Sequence, residues 1–525
     1  MKTRNILLSI AALALLVSCT GNFAEISRNH YVPHNLEMSQ DNLMVGALFQ
    51  QLERSVIVYS DGVYLDSDYQ IMYNLTAENW CGYMGSTHAN ANSVKNTGWG
   101  IYDQYHRRLF TVKYEYGMAA FSKIKTFCEE NNLPLQLALS SIVKVATMHQ
   151  VTDYYGPIAY SQTGSVSGNL YDSQEDVYKA FFNELDSAIE TLEPYALSGT
   201  TLLEDYDIVY GGDLTKWVQF ANSLRLRLAM RVAYADATLA KTEAEKSIAS
   251  TVGVIVENSG NAVVQGVDHH PLHEINVNFN EADTQMGASM DCYLNGYSDP
   301  RKFLYAKPAA GDGQFHGVRP GINPNNWDNY KNPAGKVSAP NADIYKICWL
   351  NAAEVAFLRA EGAVRGWAMG GAAKDFYEQG ITLSFEEWGA TGAATYIANT
   401  TAQPAAFADN VGTANAAKPS SVTIAWNEAG TEEQKLEKIG TQKWIALFPN
   451  GCEAWAEYRR LHYPALIKPA NNFSNGIVND DQQIRRVPYP LSEQSDNPDG
   501  YASGVAALGG EDNAGTRLWW DKKPF

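Results

Sequence analysis

The sequence has few cysteines, and their spacing excludes two common ways of stabilising a fold. Six occur among 525 residues, and one of them, Cys19, belongs to the N-terminal segment described below. The other five are Cys81, Cys128, Cys292, Cys348 and Cys452. Because their number is odd and no C-x-x-C spacing occurs, we expect buried free thiols, with neither a disulfide framework nor a zinc site.

Basic residues are also fewer than acidic residues. The chain carries 40 lysines and arginines against 58 aspartates and glutamates, which gives a formal net charge of −18 at pH 7. Such a surface repels phosphate groups, so we exclude nucleic acid as a partner. The one histidine cluster, from Asp268 to His273, contains Pro271, which breaks the helical spacing that a histidine metal site needs. We expect no metal there.

Long apolar runs are absent after the first 19 residues, so we expect no later segment to cross a membrane. At the N-terminus, Lys2 and Arg4 precede an apolar run over residues 6–17, which is the pattern of a secretory signal. Leu16-Val17-Ser18-Cys19 then resembles a bacterial lipobox, whose cysteine becomes the lipidated first residue. We predict a signal peptide over residues 1–18 and a lipid anchor on Cys19. The alternative is an ordinary secretory signal with a chance cysteine.

What the chain does contain is a large supply of apolar and aromatic side chains. Hydrophobic residues make up 45% and aromatic residues 11% of it, with 30 tyrosines and 12 tryptophans. This composition is that of a globular protein with a large core. Core packing explains most rings, and those that remain can form a surface that stacks on a sugar or a peptide.

The strongest predicted element is a helix over residues 213–235. Asp213 is suited to cap its first turn. Apolar residues recur at helical spacing on one wide face. They are Leu214, Trp217, Val218, Ala221, Leu224, Leu228 and Val232. Three arginines, at positions 225, 227 and 231, lie in the half where the helix dipole favours cations. A stripe of this kind needs other helices packed against it.

Similar helical patterns recur along the chain. We assign them to residues 40–58, 110–131, 135–150, 173–192, 236–250, 344–367, 372–383, 432–447 and 451–460. Successive helix pairs predict a mainly α fold of tetratricopeptide-like repeats wound into a superhelix, with long irregular loops. We expect one domain over residues 19–525, with loop-rich insertions at 252–341 and 390–430.

Several short motifs, in a fixed order, resemble the SusD/RagB family of outer-membrane nutrient-binding lipoproteins, in its SusD-like branch. They lie at residues 155–157, 216–231, 299–301, 354–361, 442–444, 485–490, 509–512 and 518–521, and include Asp299-Pro300-Arg301, Gln442-Lys443-Trp444 and Arg485-Arg486-Val487-Pro488. Ser18 in the lipobox and Ala159 after the Gly156-Pro157 turn depart mildly from the family pattern. The resemblance covers the chain from the lipobox to Asp521.

This resemblance implies a cell-surface lipoprotein on the outer membrane that faces the exterior. It further implies that the protein captures a nutrient, either a glycan or a peptide, and passes it to a TonB-dependent, SusC-like β-barrel transporter. Neither catalysis nor a cofactor is implied. The ligand-binding residues vary too much within the family to be transferred from it.

The candidate ligand residues therefore come from loop composition alone. Residues 64–105 carry many rings among asparagines and glycines, and residues 311–332 form a second loop of this kind. We predict that Trp80, Tyr83, Trp99, Trp327 and Tyr330 form the ligand surface. The alternative is that these rings pin the loops onto the helices.

Two other functions remain open at this stage. A surface glycoside hydrolase would need two carboxylates across a cleft, and Asp153 or Glu386-Glu387 can be named without anything that distinguishes them. No G-x-S-x-G, H-E-x-x-H or P-loop spacing occurs. A structural lid for the transporter, with no ligand of its own, is the other alternative. A structural Ca²⁺ in an acidic loop such as Asn479-Asp480-Asp481 also stays open.

Overall fold

A computed structural model describes residues 43–61, 64–87, 91–163, 169–277, 284–322, 330 and 335–525. The predicted signal peptide, the lipidation site Cys19 and the candidate Trp327 lie outside these ranges. The corresponding predictions therefore stay predictions.

The first half of the chain is largely helical. Its helices are α1 Leu43–Arg54, α2 Asp66–Tyr69, α3 Ala91–Thr97, α4 Asp103–Val112, α5 Ala119–Asn131, α6 Pro134–Tyr155, α7 Gln174–Ala196, α8 Leu214–Arg231 and α9 Ala237–Ala249. The π-helical segments Gln70–Glu78 and Lys113–Met118 continue α2 and join α4 to α5. The helices predicted in this half are confirmed, with shifts of a few residues at their ends.

The second half alternates short elements with longer helices. These are α10 Pro271–Val277, α11 Ala288–Gly296, α12 Lys302–Tyr305, α13 Ala352–Val364, α14 Ala373–Glu387, α15 Ala393–Ile397, α16 Glu432–Ala446, α17 Gly451–Leu461, α18 Glu493–Asp496 and α19 Pro498–Leu508. The two predicted loop-rich regions hold only short elements. None of the described helices is both long and apolar enough to cross a membrane.

Among the described residues, the strands are short and form two antiparallel pairs. The strand β1 Met84–Ser86 pairs with β3 Thr284–Met286, with Gly85 opposite Gln285. The strand β2 Ala262–Val263 pairs with β4 Cys348–Leu350. Each pair connects the region 252–341, which contains β2 and β3, to a strand outside that region.

The longer helices pack in successive pairs. Helix α7 lies between α6 and α8, α8 packs on α9, and α13 packs on both α14 and α16. The buried side chains of these helices belong to one continuous hydrophobic core. The predicted mainly α, tetratricopeptide-like architecture is therefore confirmed.

Helix α8 lies at the centre of this arrangement. The carboxylate of Asp213 caps it by accepting hydrogen bonds from the backbone N–H groups of Thr215 and Lys216, at 2.9 and 3.2 Å. Trp217 is fully buried, and its indole N–H donates to Asp207 at 2.7 Å. The predicted cap and apolar stripe are both present.

The arginines of α8 do more than complement the helix dipole, because their charges are buried. Arg231 donates to Asp153 of α6 at 2.7 Å and to Glu457 of α17 at 3.3 Å, and it also pairs with Glu453. Arg227 makes a two-pronged pair with Glu354 of α13, at 2.8 and 2.6 Å. One helix thus provides cations to three others.

Further charged groups extend these pairs into one cluster, the Arg231 network. Arg460 donates both terminal nitrogens to Glu361, each at 2.6 Å, and also pairs with Glu457. Lys443 of α16 donates to the second oxygen of Glu457 at 2.8 Å. Every carboxylate named here has a cationic partner, which offsets the cost of removing it from water.

The network shifts the acidity of its carboxyl groups. Burial raises the pKa of Glu361, but the attraction of Arg460 and Arg365 outweighs burial and brings the pKa to about 2. Burial likewise opposes ionisation of Glu457, yet Arg460, Lys443 and Arg231 together hold its pKa well below the ordinary value. These side chains are therefore charged in the folded protein at neutral pH.

The C-terminal motif is held by further buried arginines. Arg485 pairs with Asp521, and Arg486 pairs with Asp512 at 2.6 Å. Arg486 also donates to the backbone oxygen of Tyr155, the last residue of α6, at 2.7 Å. The segment from Arg485 to Asp521 is thereby linked to the end of a central helix.

We predict that Arg231→Met lowers the free energy of unfolding by about 3–5 kcal/mol, because it leaves buried carboxylates unpaired. The matched control is Arg107→Met, since Arg107 is half exposed and faces Asp103 at 3.9 Å across one helical turn. That control should change stability by less than about 0.5 kcal/mol. Equal effects of the two substitutions in urea unfolding would contradict the prediction.

We also predict a loss of stability in acid. A carboxyl group whose pKa is lower when folded stabilises the protein above its unfolded pKa, and this contribution disappears as the pH falls toward the folded value. For Glu361 the window runs from the ordinary glutamate pKa of 4.5 down to about 2. The free energy of unfolding should fall as the pH drops through this window, and it should fall less steeply in Glu361→Gln. Parallel curves for the two proteins would refute this assignment.

Candidate functional site

A cleft with aromatic walls lies beside Trp99. It has a volume of about 380 Å³. Three rings line it, those of Trp99, Tyr102 and Phe473, together with the polar side chains of Asn92, Lys95, Asn475, Asp512 and Asn513. We call it the Trp99 cleft. Flat rings with amide and charged groups around them suit a ligand with apolar faces and polar edges.

A buried asparagine, Asn96, holds the first wall of the cleft. Its side-chain N–H donates to the backbone oxygen of Leu75 at 2.6 Å, and its side-chain oxygen accepts from the N–H of Tyr102 at 3.2 Å. Its backbone oxygen accepts from the indole N–H of Trp80 at 3.0 Å. Trp99 has a left-handed backbone conformation, with φ of 70°. It lies where the chain leaves the C-terminal end of α3.

The opposite wall comes from residues 469–477. The N–H of Phe473 donates to the backbone oxygen of Gly98 at 2.8 Å. A Cβ at Gly98 would lie 2.7 Å from both the Asn471 oxygen and Cδ2 of Phe473, so only glycine permits this approach. The same wall continues to Gly321, whose oxygen accepts from the side-chain N–H of Asn471 at 2.8 Å.

This arrangement joins the two loops that the sequence singled out. Residues 92–102 and the described part of 311–332 both contact the segment 469–473, although more than 200 positions separate the two loops along the chain. The sequence analysis did not identify that third segment. Its composition, Asn471-Asn472-Phe473-Ser474-Asn475-Gly476, is the same mixture of a ring with asparagine and glycine that pointed to the other two.

One acid faces this cleft, and it is already paired. Asp512 accepts from Arg486 at 2.6 Å and from the backbone N–H of Tyr489 at 3.1 Å. Lys95 is exposed at the rim. The described lining therefore offers a fixed carboxylate, a mobile ammonium and several amides.

The predicted ligand residues differ in their placement. Trp99 lines the cleft, although only 2% of the residue is exposed. Trp80 and Tyr83 are a correction to the sequence analysis, because they are buried in the core. Trp80 packs on Trp455 at 4.9 Å, and Tyr83 lies between Trp444 and Phe448. The alternative reading, that such rings pin loops to helices, describes both.

Tyr330 is also buried, which corrects the prediction that it offers a ring face. It is 4% exposed, and its hydroxyl donates to Asp409 at 2.8 Å. It packs with Val318, Ile322 and Val337 in a small cluster of its own. Its role in the described structure is to tie its loop to residues 409–414. Trp327 lies outside the described residues.

The described residues offer little support for a metal-ion site. No group of three or more His, Cys, Asp or Glu side chains there is arranged to hold a metal ion. In the Asn479–Asp481 loop, Asp480 accepts from Asn472 at 2.7 Å and Asp481 pairs with Lys468. The five described cysteines are free thiols; Cys81, Cys128 and Cys292 are buried as predicted, whereas Cys348 and Cys452 are partly exposed.

A helical-repeat scaffold with an aromatic, amide-lined cleft in its loops defines a class of binding protein. The sequence pattern of the family described as SusD-like, Susd and RagB outer membrane lipoprotein, matches residues 25–521. The chain therefore belongs to the SusD/RagB family of outer-membrane lipoproteins. No curated protein matches it in a sequence comparison.

Solved structures agree with this assignment. A chitin-binding SusD homologue from Flavobacterium johnsoniae is 38% identical, covers 91% of this chain and 98% of its own, and superposes with a TM-score of 0.85. A SusD homologue from Bacteroides uniformis is also 38% identical, covers 92% of this chain and 100% of its own, and has a TM-score of 0.84. A third, from Bacteroides vulgatus, is 33% identical, covers 91% and 98%, and has a TM-score of 0.83.

We predict that Gly98→Ala loosens the wall of the cleft. The added methyl group would overlap Asn471 and Phe473, and overpacking of this kind costs about 1–3 kcal/mol. Hydrogen exchange at the Phe473 amide should therefore become about tenfold faster or more, while α8 stays protected. Gly260→Ala is the control, because its nearest neighbour is the Ile255 side chain at 3.2 Å, against 2.7 Å for the contacts of Gly98. Unchanged exchange at Phe473 would show that the close approach does not hold this wall.

Proposed function

We propose that this protein captures a glycan in the Trp99 cleft at the cell surface and delivers it to a SusC-like, TonB-dependent transporter. The observation that carries the proposal is the cleft itself. Three rings and several amide side chains surround a volume of about 380 Å³, within a family of outer-membrane lipoproteins. Rings stack on the apolar faces of sugars, while amides and carboxylates bond their hydroxyl groups.

Among glycans, we favour a polymer built from N-acetylglucosamine. The support is the likeness to the chitin-binding homologue from Flavobacterium johnsoniae over nearly the whole chain. A peptide ligand is the competing possibility for the same cleft. Both are tested directly below.

We infer that binding, and not hydrolysis, is the activity. A glycoside hydrolase needs two carboxyl groups across the scissile bond. Among the described residues that line the cleft, Asp512 is the one acid, and it is paired with Arg486. Asp153, which the sequence left open as a catalytic acid, is buried and paired with Arg231.

We place the protein on the outer face of the outer membrane, anchored through a lipid on Cys19. The lipobox at residues 16–19 and the family description support this location. The lipid carries the anchoring, since a diacylated cysteine buries many CH₂ groups at about 0.8 kcal/mol each. Mass spectrometry of the mature N-terminal peptide tests it, and an unmodified Cys19 would contradict it.

For a soluble protein beginning at Thr20, we expect chitin oligosaccharides to change the tryptophan fluorescence in a saturable way. Tyr102→Ala and Phe473→Ala should each weaken binding by roughly 1–2 kcal/mol, about tenfold in Kd, because each removes one stacking face. Phe303→Ala is the matched control, since Phe303 is 41% exposed and does not line the cleft.

The same titration separates the alternatives. Saturation by peptides but not by oligosaccharides would replace the glycan with a peptide. No binding by either, together with normal uptake in cells carrying Tyr102→Ala and Phe473→Ala, would support the structural lid. Release of reducing sugar from chitin by the purified protein would overturn the non-catalytic assignment.

A further inference from the structure

A second cleft with aromatic walls lies where the C-terminal end of α4 meets α18. Its volume is about 280 Å³, and it shares no lining residue with the Trp99 cleft. Its walls include three rings and three carboxylates, those of Phe110, Tyr114, Tyr171, Glu115, Glu493 and Asp496. We call it the Glu493 cleft.

The rings of this cleft are held by one another and by hydrogen bonds. The ring centroids of Phe110 and Tyr114 are 4.7 Å apart, and the hydroxyl of Tyr114 donates to the backbone oxygen of Ala159 at 2.7 Å. Phe110 and Tyr171 are almost fully buried, whereas Tyr114 is partly exposed. A preformed concave wall with a ring on it is typical of a ligand site, and Tyr114 is the ring that a ligand reaches.

One carboxylate of the cleft is fixed and two are at its rim. Oε2 of Glu493 accepts from the hydroxyl of Tyr171 at 2.5 Å and from the side-chain N–H of Asn497 at 3.5 Å. Its Oε1 has no hydrogen-bond partner among the described residues, so it can accept from a ligand. Glu115 and Asp496 are exposed, and neither forms an ion pair within the described part of the chain.

No cation offsets these three carboxylates. The described residues that line the cleft include no lysine, arginine or histidine. Residues 164–168, which precede the lining residue Asn169, contain no basic residue either. The cations on the adjoining helices α4 and α6 face other acids: Arg107 lies 3.9 Å from Asp103, Arg108 is attracted by Glu115 but pairs with Asp68 at 2.7 Å, and Lys144 pairs with Glu184 at 2.6 Å.

The unbalanced negative charge acts on the hydroxyl groups of the cleft. Burial raises the pKa of Tyr114 and Tyr171 well above the ordinary value, and the charge of Glu493 raises both further. Both hydroxyls are therefore neutral at physiological pH. An anionic ligand would be repelled by this lining, while a protonated amine gains both the attraction of the carboxylates and a ring face.

The volume sets the size of the occupant. A single water needs roughly 10–15 Å³ on this measure, so about 280 Å³ has room for roughly twenty non-hydrogen atoms. One monosaccharide or one amino-acid residue fits in that space, and a larger ligand extends into solvent.

We propose that the Glu493 cleft binds a protonated primary amine, carried by a hexosamine or by a basic amino acid. The ammonium group donates to Oε1 of Glu493, and the body of the ligand lies against the ring of Tyr114. Glu115 and Asp496 attract the cation from the rim. The proposal does not rest on glycan binding in the Trp99 cleft.

Two matched pairs of ligands test this assignment by isothermal titration calorimetry, with the soluble protein that begins at Thr20. The pairs are glucosamine with N-acetylglucosamine, and Nα-acetyl-lysine N-methylamide with its norleucine counterpart. In each pair only the first member carries a protonated amine at a pH of about 6.5. The pairs are compared in Tyr102→Ala, so that binding in the Trp99 cleft contributes little.

We expect at least one amine to bind with a Kd of about 1–5 mM, at least about fivefold more tightly than its uncharged partner. Raising NaCl from about 50 to about 500 mM should weaken it about threefold, because salt screens the carboxylates. The amine should bind equally well to the protein with Tyr102 intact, which separates this cleft from the Trp99 cleft.

The outcomes distinguish the carriers of the amine. Selective binding of glucosamine alone assigns an amino sugar, and selective binding of the lysine derivative alone assigns a basic amino acid. Selective binding of both shows that the ammonium group itself is recognised. Equal affinities within both pairs, or no binding of either amine, overturn the proposal.

Variants place the amine in the cleft. Glu115→Gln and Asp496→Asn should each weaken binding about twofold to fivefold, since each removes one attracting charge from the rim. Glu493→Gln should weaken it about tenfold, because it removes the charge that contacts the ammonium group. Glu190→Gln is the matched control, since Glu190 is exposed on α7 and lines neither cleft.

Unchanged affinity in all three cleft variants would place the amine elsewhere and contradict the proposal. A loss in Glu190→Gln as large as in the cleft variants would do the same, because it would mean that net charge alone attracts the amine. Thermal unfolding checks that each variant is folded. Since Glu115 and Asp496 are exposed, their variants keep the test decisive even if Glu493→Gln is unstable.

Discussion

The buried guanidinium of Arg231 is the interaction on which the rest of the scaffold depends. It contacts carboxylates from α6 and α17 at once, and through Glu457 it reaches Lys443 of α16 and Arg460. Hydrophobic contacts alone would allow the helix pairs to slide along one another, because they are not directional. Charge pairs with short, fixed distances exclude such shifts, since each misplaced helix would leave an ion unpaired in the core.

This network also fixes parts of the chain that form the Trp99 cleft. Asp153 belongs to the last turn of α6, and two residues later the backbone oxygen of Tyr155 holds Arg486. Arg486 in turn orients Asp512 in the wall of the Trp99 cleft. A chain of contacts therefore runs from the central ion pairs to the cleft through only a few side chains. The cleft is built from loops, but its position is set by the helices.

Some of this could be read from the sequence and some could not. The helices were predictable because apolar residues recur at helical spacing, and the cap at Asp213 was predictable from its type and position. The burial of Arg227 and Arg231 was not, since their partners lie on helices 78 to 226 positions away. Composition pointed to Trp99, which lines the Trp99 cleft, and to the two loops that contact the segment 469–473. It failed for Trp80 and Tyr83, because a ring in a polar loop looks the same whether it faces solvent or is folded back onto the core.

That failure has a physical cause which also explains how the cleft is made. Trp80 and Tyr83 turn inward, and their indole and hydroxyl groups donate to backbone oxygens of Asn96 and Trp444. Asn96 then holds Tyr102 at the edge of the cleft. The rings that were expected to bind ligand instead anchor the loop that presents other rings. The connections on either side of α3 need such anchors, because they have no ladder of backbone hydrogen bonds to keep their shape. Aromatic richness in this segment thus reflects two layers, a buried one that fixes the chain, to which Trp99 also belongs at 2% exposure, and an outer one at the cleft that contains Tyr102.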